Sequence, residues 1–224
     1  MQFPHILVIN LKERTDRWNQ ISKHLDSLHL DYERVDAIKK EPGWVGCTLS
    51  FAKCYRLAKK RNYPWVLVLE DDCLLQPGGK ERFEQLLPIL WQRRAEWDVF
   101  SGGSIYINKA CRVSEEPPLF QMNAWSSHFI LVHKDSYDKV LGLSKNNHAA
   151  DHFYKLKIRC WSTYPHIAIQ RSGYSNLEQK NRFMRKKFQI ADTILQDQLH
   201  AKKRCTTKKQ IMRVVQKTRK KLRY

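Results

Sequence analysis

Residues Trp65-Val66-Leu67-Val68-Leu69 form an unbroken apolar run that stops on three consecutive carboxylates, Glu70-Asp71-Asp72. A strand buried on both faces shows no polar alternation. This run, with Asn62-Tyr63-Pro64 before it and Gln76-Pro77-Gly78-Gly79 after it, therefore predicts the centre of a parallel sheet. Open α/β sheets bind ligands at the carboxyl ends of their strands. Three adjacent acids repel one another and raise one another's pKa, so either a cation neutralises them or they form a solvated acidic turn. The run alone leaves both readings open.

The rest of the chain repeats the pattern. Ile6-Leu7-Val8-Ile9 is a second central strand, and Thr15 or Asp16 is placed to cap a helix carrying Trp18, Ile21, Leu25 and Leu28. The loop between them, Lys12 to Arg17, brings two guanidiniums to a helix N-terminus. That arrangement suits a diphosphate, or equally a solvated charged loop. Tyr32 to Ile38 reads as a strand completing a βαβ unit, with Asp36 where a ribose or base is held. A helix is predicted from Thr48 to about Lys60, and another from Lys80 to Arg94 with a kink at Pro88.

Trp97 to Gly103 predicts a strand ending on a glycine pair, where a backbone approaches a sugar or simply turns. Residues 104–122 read as irregular, either an acceptor-side or mobile loop or a disordered stretch. His128 to Val132 is a further strand, followed by a helix capped by Asp135 or Ser136. A helix opening at Ala149 carries Asp151 and His152 in its first turn, and a strand around Trp161 to Ile169 contains Pro165 and so belongs at an edge. Alternating strands and helices predict an α/β fold, a mostly parallel central sheet flanked by helices.

Composition sets the remaining limits. The chain has 224 residues, of which 42% are hydrophobic and 11% aromatic, enough for a sizeable core. No window approaches the roughly 18 apolar residues of a spanning helix, and the first residues lack a basic segment and cleavage site, so a cytoplasmic protein without a classical signal is expected. Six cysteines with no C-x-x-C pair predict reduced thiols and no structural zinc site.

The net charge of +19 is uneven: residues 180–224 hold 16 Lys and Arg against Asp192 and Asp197. The chain thus divides into a body, 1–179, and a basic tail, 180–224. In the tail, Met184, Phe188, Ala191, Leu195 and Leu199 make one helical stripe, and Ile211, Val214 or Val215, Thr218 and Leu222 a second. Basic amphipathic helices suit an anionic membrane surface, nucleic-acid phosphate, or a solvated hairpin on the body.

With these pieces in place, residues 5 to 178 resemble glycosyltransferase family 25, the lipooligosaccharide and procollagen galactosyltransferase group with a GT-A fold. The resemblance rests on Val8-Ile9-Asn10-Leu11 with Arg14 and Asp16-Arg17, on Glu33-Arg34-Val35-Asp36-Ala37, on Gly46-Cys47-Thr48-Leu49-Ser50 and on Val66 to Asp72. Trp97-Asp98 and the late residues Tyr164-Pro165, Gln170 and Ser175 add to it. One departure is Ser50-Phe51, where the family commonly has Ser-His.

The resemblance implies a metal-dependent, inverting transferase that moves a sugar, with galactose the leading candidate, from a UDP-sugar to a glycan or glycolipid such as lipopolysaccharide or lipooligosaccharide. Mn²⁺ or Mg²⁺ would be held by Asp72 with Glu70. Asn10, Leu11, Arg14, Asp16, Arg17, Asp36, Ala37, Glu70 and Asp71 would bind the nucleotide-sugar, and Asp151 would be the general base, unless it caps its helix. His128, His152 and His166 are reserve metal or acceptor contacts. The tail would hold the protein at the cytoplasmic membrane face. Two other functions compete: nucleic-acid binding through the tail, which explains neither the acidic strand end nor the ordered motifs, and an inactive relative serving as a binding module.

Overall fold

The computed structural model describes residues 3–145, 149–175 and 179–221. The first half of the chain runs β1 (His5–Asn10), α1 (Thr15–Ser27), β2 (Tyr32–Asp36), α2 (Gly43–Lys60), β3 (Trp65–Glu70), β4 (Cys73–Leu75), α3 (Gly79–Gln92) and β5 (Val99–Ser101). It continues with β6 (Ile105–Ser114), β7 (Leu119–Trp125), β8 (Phe129–His133), α4 (Tyr137–Leu141), α5 (Ala150–Lys157) and β9 (Cys160–Thr163). The last elements are β10 (Ala168–Gln170), β11 (Gly173–Ser175), β12 (Lys180–Arg182), α6 (Arg185–Leu199) and α7 (Lys208–Lys221).

Among the described residues eight strands form one sheet in the order β2-β1-β3-β8-β5-β9-β7-β6, which places the two apolar runs, β1 and β3, inside the sheet as expected. β8 and β7 run against the other six strands. The apolar runs are continuous because successive side chains enter different cores. Ile6, Val8, Leu67 and Leu69 face Ile21 and Leu25 of α1 and Phe83, Leu86, Leu87 and Leu90 of α3. Leu7, Ile9, Val66 and Val68 face Phe51, Ala52, Tyr55 and Ala58 of α2, with Tyr137 of α4 and Phe153 of α5 beyond. The result is the GT-A-like α/β layering expected from the sequence.

Several local expectations are corrected. Thr15 and Asp16 do not cap α1: Arg14 holds the cap position, and both lie inside the first turn. Ser136 holds the cap position of α4, but its hydroxyl makes no cap hydrogen bond and shares a 3.0 Å hydrogen bond with His133 instead. α2 begins at Gly43 rather than Thr48. Its Gly46 packs so closely that a Cβ there would lie 2.2 Å from the Ile38 carbonyl oxygen, which seats the helix against the loop after β2. α3 runs on through Pro88.

The glycine pair after β5 meets protein rather than sugar, since a Cβ at Gly103 would lie 2.1 Å from the Ala168 carbonyl and one at Gly102 would strike the Phe129 ring. Residues 104–122 are no irregular loop but most of the β6–β7 hairpin, whose Glu115-Glu116-Pro117-Pro118 stretch is only the turn. β9 is interior, between β5 and β7; it ends at Thr163, so Pro165 costs the ladder no hydrogen bond. Two cysteines are not free thiols, because Cys111 on β6 and Cys205 are joined in a disulfide.

Both tail helices spend their apolar stripes on the body. Ala191, Ile194 and Leu195 of α6 and Ile211 and Val214 of α7 pack with Ile107, Ala110, Phe120 and Met122 of the hairpin. Met184 and Phe188 pack with Ile105. Leu222, placed on the second stripe by the sequence, lies outside the described residues. Among the described residues no helix is long and apolar enough to cross a membrane.

Candidate active site

Parallel pairing brings the ends of β1, β2 and β3 to one edge. Ile9 stands in register with Glu70, and Asn10 with Asp36. A cavity of about 1030 Å³ opens there, and Asn10, Leu11, Arg14, Arg17, Ala37, Glu70, Asp71, Asp72 and Asp151 all line it. Residues separated by more than 140 positions thus meet because the strand ends are aligned.

The three acids are held differently. Asp71 accepts from Asn10 Nδ2 at 2.7 Å through Oδ2 and from Arg17 at 2.7 Å through Oδ1. Asn10 itself accepts from Arg34 at 2.7 Å, so a buried amide links β2 to the end of β3. Arg17 also donates to the Tyr174 carbonyl at 2.6 Å, tying the first turn of α1 to β11.

Glu70 and Asp72 take their hydrogen bonds from neutral donors, while Arg17 and Arg182 act on them through charge. Ser127 gives its hydroxyl to Glu70 at 2.6 Å, and the Gln170 amide lies 3.2 Å from Glu70 and 3.4 Å from Asp72. Gln170 reaches them because β10 pairs with β4 and sets it opposite Cys73. Burial, then the charge of Asp72, pushes the Glu70 carboxyl well above its usual range. Burial raises Asp72 too, against the opposing pull of Arg17, which stands 3.5 Å away. A half-buried and a buried carboxylate that repel one another form a hard-oxygen pair whose ionised state a divalent cation would favour.

Asp16 and Asp36 do not line the cavity. Asp16 is taken up by Arg14 in a two-pronged pair at 2.9 and 2.8 Å, which holds its carboxyl down at about 2. Asp36 ends the edge strand on the face opposite buried Val35 and turns to solvent, 3.8 Å from Arg34. Asp151 sits in the first turn of α5, half-buried, and accepts from the His152 backbone N–H at 2.8 Å. Burial raises its pKa.

Two of the three reserve histidines are structural. His128 is buried against the Ala168 carbonyl at 3.0 Å, and burial drives its pKa down to about 3. His166, also buried, pairs with Asp192 at 2.9 Å. His152 lies beside Trp125, the rings tilted by 35° with centroids 5.6 Å apart. Phe51, which stands where the family commonly has histidine, is wholly buried in the core under α2. Among the described residues no group of three or more His, Cys, Asp or Glu is arranged around a metal position.

Sequence reasoning missed several residues of the cavity wall: Ser127, Arg182, Tyr106, Trp125, Phe183 and Lys187. Only long-range pairing brings these residues to the strand ends, and no local pattern marks them.

The sequence model of glycosyltransferase family 25, described as an LPS biosynthesis protein, matches residues 41–136. A procollagen galactosyltransferase 1-A from Xenopus laevis is 28% identical over 52% of this chain and 23% of its own length. A glycosyltransferase 25 family member from Aedes aegypti is 30% identical over 46% of this chain and 21% of its own. The chain thus spans less than a quarter of the length of these curated relatives. In fold it is similar to the crystal structure of A197 from STIV, with a TM-score of 0.50 at 12% identity over 80% of this chain and 93% of that one.

Proposed function

We propose that this chain is a glycosyltransferase of family 25, whose sequence model matches residues 41–136, and that it transfers a hexose from a UDP-sugar to a hydroxyl of a glycan or glycolipid with inversion at the anomeric carbon. The observation that carries this reading is the split among the three acids. Asp71 is bound to Arg17 and Asn10, while among the described residues half-buried Glu70 and buried Asp72 take hydrogen bonds from Ser127 and Gln170 and feel Arg17 and Arg182 through their charge. Two carboxylates suit a Mn²⁺ or Mg²⁺ ion that takes its other oxygens from a diphosphate and water. Bound there, such an ion would neutralise the charge that builds on the departing diphosphate.

The protein's own groups account for the other steps. Leu11, Ala37 and the Ile38–Lys40 segment form the wall for the nucleoside, and Arg14 and Arg17 sit at the start of α1, where the helix N-terminus also favours phosphate. Asp151 takes the proton from the attacking hydroxyl; its raised pKa brings its basicity closer to neutral pH, where a base works best. A glycolipid acceptor at an anionic membrane face would suit the basic surface of the tail, its apolar stripes being already covered by the hairpin.

Calorimetric titration of the full chain with UDP, with and without Mn²⁺, tests this reading alongside hydrolysis of UDP-galactose. UDP affinity should rise with the ion, and Asp72→Asn should cost at least tenfold of that gain. Absence of UDP binding under both conditions would overturn the proposal.

A further inference from the structure

Five large hydrophobic side chains stand exposed among the described residues, and Tyr106, Tyr174 and Phe183 all line the same cavity. Tyr174 belongs with the nucleotide wall, since its carbonyl receives Arg17. Tyr106, 53% exposed, comes from β6, and Phe183, 77% exposed, from the segment entering α6. Trp125 of β7, paired in register with Ile105, adds a third ring to that part of the wall.

The backbone is distorted to present them. Tyr106 has φ +48° and Ser126 φ +137°, and the β6–β7 register breaks between Ile105 and Lys109. Strained, bulged strand ends gather where a side chain is re-aimed at a ligand. Cations accompany the rings: Lys187 Nζ lies 5.1 Å from the centre of Tyr106 and Lys155 Nζ 4.8 Å from that of Trp125.

We propose that Tyr106, Trp125 and Phe183 form the subsite for the acceptor sugar, and that this sugar carries a phosphate or carboxylate met by Lys187. The inference rests on the transferase reading above. A pyranose has an apolar C–H face that packs on an aromatic ring, while its hydroxyls need polar neighbours. Exposed rings at a cavity mouth supply the first, and Ser126 and Asp151 supply the second. An ammonium held over a ring is already positioned to pair with an anion on the sugar stacked there.

Saturation-transfer NMR on the full chain, with and without UDP, would compare galactose, galactose 6-phosphate and galacturonate. At least one charged sugar should bind roughly tenfold tighter than galactose, and the two charged arms tell phosphate from carboxylate. Tyr106→Ala and Phe183→Ala should weaken all three sugars, Tyr106→Phe should restore binding, and Lys187→Met should remove only the preference for charge. Equal affinity for charged and neutral sugars would overturn the anionic assignment, and wild-type sugar binding in Tyr106→Ala and Phe183→Ala would overturn the subsite. A separate UDP titration distinguishes the two levels. UDP binding without any sugar binding sinks this inference and spares the transferase reading, whereas sugar binding without UDP binding leaves an anionic-sugar site and sinks the transferase reading together with the acceptor role.

Discussion

Arg17 donates a 2.7 Å hydrogen bond to Asp71 across 54 residues of sequence, joining the first turn of α1 to the end of β3. The pair is largely removed from solvent, and Asp71 has Asn10 as its second donor. Deleting the guanidinium leaves a buried carboxylate half-satisfied, a loss of about 3 kcal/mol for pairs of this kind. Arg17→Met should therefore lower the urea midpoint, and adding Asp71→Asn should recover part of that loss. UDP affinity should stay low in the double variant, because the cation proposed to meet the donor phosphates is gone. Chemical denaturation and calorimetry on the same samples separate the two effects.

Asp98 is a second charged hub, remote from the cavity. Its carboxylate is nearly wholly buried and receives Arg159 through the backbone N–H at 2.8 Å and the guanidinium at 2.8 Å, with Lys139 at 2.5 Å. Burial alone would raise its pKa, but Arg159 and Lys139 outweigh it and bring it down to about 2. A depressed carboxylate adds stability above its unfolded pKa of about 4, and that share is lost as pH falls toward 2. Asp98→Asn should reduce stability at pH 7 and flatten the fall between pH 4 and 2. Urea midpoints taken across that range decide the matter.

What the sequence made legible follows from how far each signal reaches. The strands β1 and β3 announce themselves because burial on both faces removes alternation, and Asp71 and Asp72 follow from where β3 stops. The β6–β7 hairpin was hidden by the opposite circumstance: a bulge between Ile105 and Lys109 breaks the period of two, and Glu115-Glu116-Pro117-Pro118 looks like a long loop when it is a turn. Gln170 and Ser127 complete the acid site only through the β10–β4 ladder and the start of β8. The apolar stripes of residues 180–221 were visible, but not that the hairpin covers them. Cysteine spacing could not pair Cys111 with Cys205, since that proximity is set by α6 returning the chain to β6.

That disulfide joins positions 94 residues apart and fastens the α6–α7 connection to β6. Constraining so long a loop stabilises a folded chain by roughly 5 kcal/mol in the chain-entropy picture. Reduction, or Cys205→Ser, should lower the urea midpoint by a corresponding amount. Backbone exchange should quicken first around Thr206, whose N–H is bonded to the Ala110 carbonyl at 2.9 Å. Hydrogen exchange under oxidising and reducing conditions reads this directly; uniform acceleration over the whole sheet would contradict a local fastening.

In the proposed reaction Asp151 acts on the acceptor rather than the donor. It lines the cavity from α5, on the far side of the sequence from the nucleotide loop, and shares that wall with Trp125 and Ser126. Its Oδ1 is engaged by the His152 N–H at 2.8 Å, which orients the carboxyl. Asp151→Asn keeps the shape and removes the basic site, so sugar transfer should fall by about 10² to 10⁴ while UDP affinity changes little. The rate profile gives the finer test. A base with an upward-shifted pKa makes transfer rise with pH above the ordinary aspartate range, and the Asn variant should lose that limb. A variant that keeps both its rate and its limb would move the base role to another residue of the cavity.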